Sequence, residues 1–118
     1  MKVLLIFNRY PYDGTDVNWN GLRLANQLAE AGTEVRIFLM NDAVDMARDV
    51  CKAPEDYDFD LVQMLKDLIS RRIPVKVCGT CKTRCGIHKG VSYFERAQQS
   101  TMKELAEWVN DSDKVITF

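Results

Sequence analysis

The chain has one histidine, three prolines and no run of apolar residues longer than the five of Val3 to Phe7. A membrane-crossing helix needs about 20 consecutive apolar residues. A secretory leader needs an apolar stretch of roughly 7–15 residues followed by a small-residue cleavage site. Val3 to Phe7 is too short for either, and Asn8, Arg9 and Pro11 end it at once. The expectation is a protein that stays in the cytoplasm. An excess of charge of one sign is also missing: 16 basic residues face 17 acidic ones, for a formal net charge of −1. Such a chain has no field to attract nucleic acid or an anionic membrane, and neither is expected as a partner. Neither Gly-x-x-x-x-Gly-Lys nor Gly-x-Gly-x-x-Gly occurs, so nucleotide chemistry is unsupported. No motif calls for a cofactor.

What is present suits one domain spanning residues 1–118. Hydrophobic residues make up 47% of the chain, too many for general disorder. Four β-type runs stand out: Val3 to Phe7, Val35 to Met40, Val75 to Cys78 and Val115 to Phe118. Three are nearly continuous, as expected of strands buried on both faces of a parallel sheet. Helical patterns lie between them. Leu22, Ala25, Leu28 and Ala29 share a face, with Gly32 placed to end that helix. Leu61, Leu65 and Leu68 line a second helix, which Pro74 follows. Thr101 and Glu104 fit a capping box opening a third, whose buried face would be Met102, Leu105, Ala106 and Val109. This alternation predicts an α/β fold, a three-layer α/β/α sandwich on a mostly parallel sheet of about 4–5 strands. In open sheets of this kind ligands bind beyond the carboxyl ends of the strands. The segments 8–16, 41–42 and 78–88 should therefore gather at one edge.

The last of these segments carries Cys78, Cys81 and Cys85, three of the four cysteines, within eight residues. Cytoplasmic thiols stay mostly reduced, so the cluster reads as chemistry or metal rather than a disulfide staple. Lys82, Arg84, His88 and Lys89 accompany it, and no acidic residue occurs from Val75 to Phe94. Cations and backbone N–H groups stabilise a thiolate and make it nucleophilic near neutral pH. A thiolate with a second cysteine close by can accept a sulfur atom, pass it on or close a disulfide. The spacing Cys-x2-Cys-x3-Cys-x2-His also admits zinc or an iron–sulfur cluster, with Cys51 as a further thiolate. Four ligands within eleven residues strain that geometry, and no metal is assigned. A thioredoxin-like exchanger is a third option, although its motif normally follows an early strand.

Other residues join the candidate site. His88 could be a base, a ligand or a cation beside a thiolate, and equally could be solvated. Asn8 and Asp42 follow adjacent strands and could line one pocket, although Asp42 at a helix start suits a cap. Cys51 has no role unless metal is present. Trp19, Trp108, Tyr10 and Tyr12 suggest subunit contacts if they lie outside the core.

The segment Pro74-Val-Lys-Val-Cys-Gly-Thr-Cys followed by Gly86-Ile87 resembles the cysteine loop of the DsrE/DsrF family of sulfur-relay proteins, in its YchN-like branch. The likeness runs along the chain through Asn20 to Ala25, Phe38 to Val44, Gln63 to Leu65 and Ser112 to Phe118. The resemblance implies a three-layer fold, assembly into homo-oligomeric trimers or hexamers, and sulfur donor and acceptor proteins as partners. The family's sulfur-carrying cysteine falls on Cys78, and Cys81 matches a second cysteine of the YchN-like branch. Where the family commonly has Arg before the Gly-Ile pair, this chain has Cys85, with Arg84 one place earlier. Cys85 could add a resolving thiol, or its presence could remove an activating cation. The first functional reading is a persulfide carrier on Cys78, with Cys81 or Cys85 resolving it and Lys82 and Arg84 holding the thiolate. The alternative is a redox- or metal-responsive oligomeric binding module that uses the same cysteines without turnover.

Overall fold

The computed structural model describes residues 1–79 and 83–118. Its elements are β1 (Lys2–Phe7), α1 (Val17–Glu30), β2 (Glu34–Leu39), a 3-10 segment (Asn41–Ala47), α2 (Leu61–Ser70), β3 (Val75–Cys78), β4 (Gln98–Ser100), α3 (Met102–Asn110) and β5 (Lys114–Thr117). The sheet order is β4-β3-β2-β1-β5, and each neighbouring pair is parallel. This is the expected α/β class. The fifth strand, β4, has no apolar pattern in Gln98-Gln99-Ser100; it forms because the backbone of Lys76 to Cys78 offers an open edge to pair with.

Handedness decides which face each connection covers. Right-handed crossovers from β1 to β2 to β3 to β4 all step the same way, so all lie on one face. The return from β4 to β5 steps the other way and carries α3 to the opposite face. Val3, Leu5 and Phe7 of β1 accordingly pack with Leu22 and Ala25 of α1 and with Leu61, Leu65 and Leu68 of α2. Leu4 and Ile6 pack with Phe38 and Leu105 on the other side. The described residues of the connection from β3 to β4 form no helix, yet Cys85, Tyr93, Phe94 and Ala97 join the α1–α2 side.

Helix ends follow the sequence with two departures. Gly32 has φ +84°, and the N–H groups of Gly32 and Thr33 donate to the carbonyls of Ala29 and Leu28, a complete Schellman ending for α1. At the end of α2 the same motif is built with Arg72 at φ +66°. The Thr101 hydroxyl accepts the N–H of Glu104 at 3.2 Å, but the Glu104 carboxylate turns to Ser100 and Lys76 rather than back to the cap. On α3 only Leu105 is buried (6% exposed); Met102 is 61% exposed, and Val109 and Ala106 are also exposed. One helix cannot cover that face, and its apolar stripe continues onto exposed Val115 of β5. No helix among the described residues is long and apolar enough to cross a membrane.

Gly21 lets α1 lie against the first strand, since a Cβ there would come within 2.4 Å of the Phe7 ring. Gly21→Ala is expected to cost about 1–3 kcal/mol through overpacking. Urea unfolding of the two chains checks this.

Candidate functional site

The chain leaves β1, β2 and β3 at the same edge, and the expected gathering of loops occurs there. Asn18, buried on α1, donates its amide to the carbonyls of Arg9 and Tyr10 at 3.2 and 2.9 Å and fixes the first loop. Asn8 donates to the Phe118 carbonyl at 3.0 Å and accepts from Asn41 at 3.0 Å. It thus ties the ends of β1 and β5 to the 3-10 segment. Asp42 is exposed and caps nothing; the residue before that segment is Met40, which has no side-chain cap. Asn8 and Asp42 are not brought together by any described bond.

The carboxylate at the centre is Asp45, one turn further along. Asp45 and Arg48 are both inaccessible to solvent, and Arg48 Nη1 donates to Asp45 Oδ1 at 2.6 Å. The other carboxylate oxygen accepts the N–H groups of Ile87 and His88 at 2.5 and 3.2 Å. Arg48 also donates to the Cys85 carbonyl at 3.1 Å, and its guanidinium lies 4.6 Å from the centre of the Tyr93 ring. The Tyr93 hydroxyl donates in turn to the Cys78 carbonyl at 3.1 Å. Two charges can be held in the core because they pair with each other and each is further hydrogen-bonded to the loop.

Gly86 shows how tightly this is fitted. Its φ is +82°, and a Cβ would come within 2.4 Å of Asp45 Oδ1. Cys78 ends β3, packs against the cores on both faces of the sheet, and is half-buried, as is Cys85. Burial raises the Tyr93 pKa; the Arg48 charge opposes this, and the thiols of Cys85 and Cys78 push it further up. Cys81 and Lys82 lie outside the described residues. Arg84 is exposed and His88 half-buried.

A second small cluster adjoins the loop. The Tyr10 hydroxyl lies 3.5 Å from His88 Nε2, and the Cys51 thiol donates to it at 3.8 Å. Cys51 is only 3% exposed, so it is a packed residue of the site's floor. Burial pushes its thiol pKa up, and the hydrogen bond to Tyr10 only partly offsets that. Burial likewise raises the Tyr10 pKa, with Cys51 adding in the same direction. Trp19 stacks on Phe59 with ring centres 4.1 Å apart, and Trp108 packs edge-on to Phe38, so both are partly absorbed by the fold. A groove of about 620 Å³ between α1 and α2 is lined by Asn20, Arg23, Met64 and Arg71 among others, and includes none of the sequence-predicted site residues.

Asp45, Arg48 and Tyr93 were not among the residues picked out from the sequence, and Tyr10 was picked out only as a subunit contact. The available signal was a pair of opposite charges three apart, inside and just after the otherwise apolar Ala43 to Ala47.

The family model described as DsrE/DsrF-like matches residues 1–118. The chain is 37% identical to Protein YchN of Escherichia coli K12 over 119 aligned positions, covering 99% of this chain and 98% of that one. It is 34% identical to an uncharacterized protein of Methanocaldococcus jannaschii, with both chains fully covered. The crystal structure of the E. coli ychN protein superposes with a TM-score of 0.83 at 35% identity, covering 100% of this chain and 99% of that one.

Two outcomes follow from the geometry. Gly86→Ala should cost at least about 2 kcal/mol, from left-handed backbone strain added to the collision with Asp45; thermal unfolding measures it. A thiol whose pKa is raised carries less thiolate at a given pH, so in the folded protein Cys51 should be alkylated by iodoacetamide at pH 8 at least about tenfold more slowly than Cys85. Peptide mapping over time reads the order, and urea should abolish the difference.

Proposed function

The chain belongs to the DsrE/DsrF-like family, and on that premise we propose that it carries persulfide sulfur on Cys78 and hands it to a partner protein. The observation that supports this reading is the environment of Cys78: a half-buried thiol at the carboxyl end of a parallel strand, leading into a loop anchored to the core by Asp45. Ligands of open α/β sheets meet the protein at that edge.

In this reading the Cys78 thiolate attacks the outer sulfur of a donor persulfide. The donor S–S bond breaks, the donor leaves as a thiolate, and Cys78 becomes Cys78–S–SH. An acceptor thiolate then takes the outer sulfur by the same exchange. Lys82 and Arg84 supply positive charge for the thiolate and for an acidic partner surface. His88, held by its own N–H on Asp45 and close to Tyr10, borders the approach. Exposed Ile87, on the same loop, supplies an apolar contact for a partner. Asn8 and Asp42 line the edge from the other loops. Assembly with further copies of the chain is part of the proposal, and the apolar stripe of Met102, Val109 and Val115 supports it.

Intact-mass spectrometry after incubation with a persulfide donor, without reductant or metal, tests the reading. Wild type is expected to gain about 32 Da, one sulfur atom, and Cys78→Ala to gain none at that residue. Absence of uptake by the wild type, with zinc or iron bound when either is supplied separately, would replace the carrier with the metal-responsive module.

A further inference from the structure

A buried ion pair is a costly way to fill a core, because an apolar pair of the same volume often packs as stably. Its retention behind the cysteine loop therefore needs a local reason. Apart from their mutual bond, the described side-chain hydrogen bonds of Asp45 and Arg48 run to that loop. Asp45 holds the N–H groups of Ile87 and His88, and Arg48 holds the Cys85 carbonyl. Tyr93, stacked on the Arg48 guanidinium, holds the Cys78 carbonyl. The main chains at two cysteines seven positions apart are thus tied to the two members of one stacked pair. Gly86, lying against Asp45 with no room for a side chain, fixes the approach of the second cysteine.

We propose that Asp45, Arg48 and Tyr93 are positioning residues that hold Cys85 as the resolving thiol of Cys78. The chemistry deepens the persulfide reading and rests on it; the pairing of the two thiols is measurable without it. Once Cys78 carries a persulfide, the Cys85 thiolate attacks Cys78 Sγ. The bond between Sγ and the outer sulfur breaks, the Cys78–Cys85 disulfide forms, and the outer sulfur leaves as hydrosulfide with the electron pair. The two protein thiols are oxidised and the outer sulfur is reduced, so no further oxidant is required. The proton released from Cys85 is available to the hydrosulfide. Burial raises the Tyr93 pKa most, and both thiols add to the rise, which accords with both lying near that side chain.

The test is the equilibrium between the Cys78–Cys85 disulfide and glutathione, in a Cys81→Ser background so that a single pairing is read. Linked peptides are quantified for the background chain, for Asp45→Asn and for Tyr93→Phe, each folded and in urea. In the folded background the effective concentration of Cys85 towards Cys78 is expected to exceed the urea value at least about tenfold. Asp45→Asn should lose most of that gain and Tyr93→Phe about threefold of it, while all three chains agree in urea. Folded variants that match the background overturn the proposal, as does a background that pairs no better folded than unfolded. If Asp45→Asn does not fold, Tyr93→Phe decides alone, because it removes one hydroxyl and keeps the ring beneath Arg48. A separate arm loads Cys78 with sulfur and measures hydrosulfide release, which should fall at least about tenfold in Cys85→Ser; unchanged release overturns the assignment of Cys85. A wild type that takes up no sulfur but shows Asp45-dependent pairing sinks the carrier reading and leaves the positioning intact.

Discussion

The contact between the Asp45 carboxylate and the Arg48 guanidinium, both shut off from water, is what the carboxyl edge of the sheet depends on. Removing one partner from such a pair typically costs about 3–5 kcal/mol, since the other is left charged in the core. A domain of this size has only roughly 5–15 kcal/mol of net stability. The pair is therefore constrained to persist as a unit, and so is whatever it binds. What it binds is main chain: two N–H groups and a carbonyl from a connection whose described residues form no helix or strand. The carboxylate gives this connection the hydrogen-bond partners that regular structure gives the others.

Topology explains why the connection lies within reach of that pair. Because β1, β2, β3 and β4 advance in one direction, right-handed crossovers put the β3–β4 segment on the same face as α1, α2 and the 3-10 segment. Had β5 followed β3 directly on the far side of β1, the cysteine loop would have crossed to the α3 face, away from Asp45. The short polar strand β4 is thus what brings Cys85, Tyr93 and the Asp45–Arg48 pair together. The E. coli ychN structure, at TM-score 0.83 and 35% identity over the full length, has the same overall fold.

Those parts of the fold that repeat with a period were legible in the sequence. The faces of α1 and α2, the glycine ending of α1 and four of five strands follow from spacing and turn chemistry. Strand β4 was not legible because Gln98-Gln99-Ser100 owes its conformation to a neighbour's open edge rather than to its own side chains. Helix α3 shows the opposite failure: its apolar stripe was visible, but periodicity tells which face is apolar and not whether the same chain covers it. At the site, cysteines announce themselves by type and spacing. Asp45 and Arg48 do not, because a charge in a short apolar run reads as a turn until the fold shows that it is surrounded. Asp42, three residues earlier, was the more plausible choice by position and proved to be on the surface.

The N–H groups of Ile87 and His88 end on a carboxylate with no solvent access, although the residues themselves form neither helix nor strand. Amide hydrogen exchange depends on how a bond opens, and bonds closed onto a core open only when that core does. These two amides should therefore exchange on the slow timescale of the central strands, while their neighbours Arg84 and Lys89, exposed and outside that grip, exchange as surface loop. A segment that looks irregular by its backbone would then behave, at two of its residues, as part of the sheet's own cooperative unit.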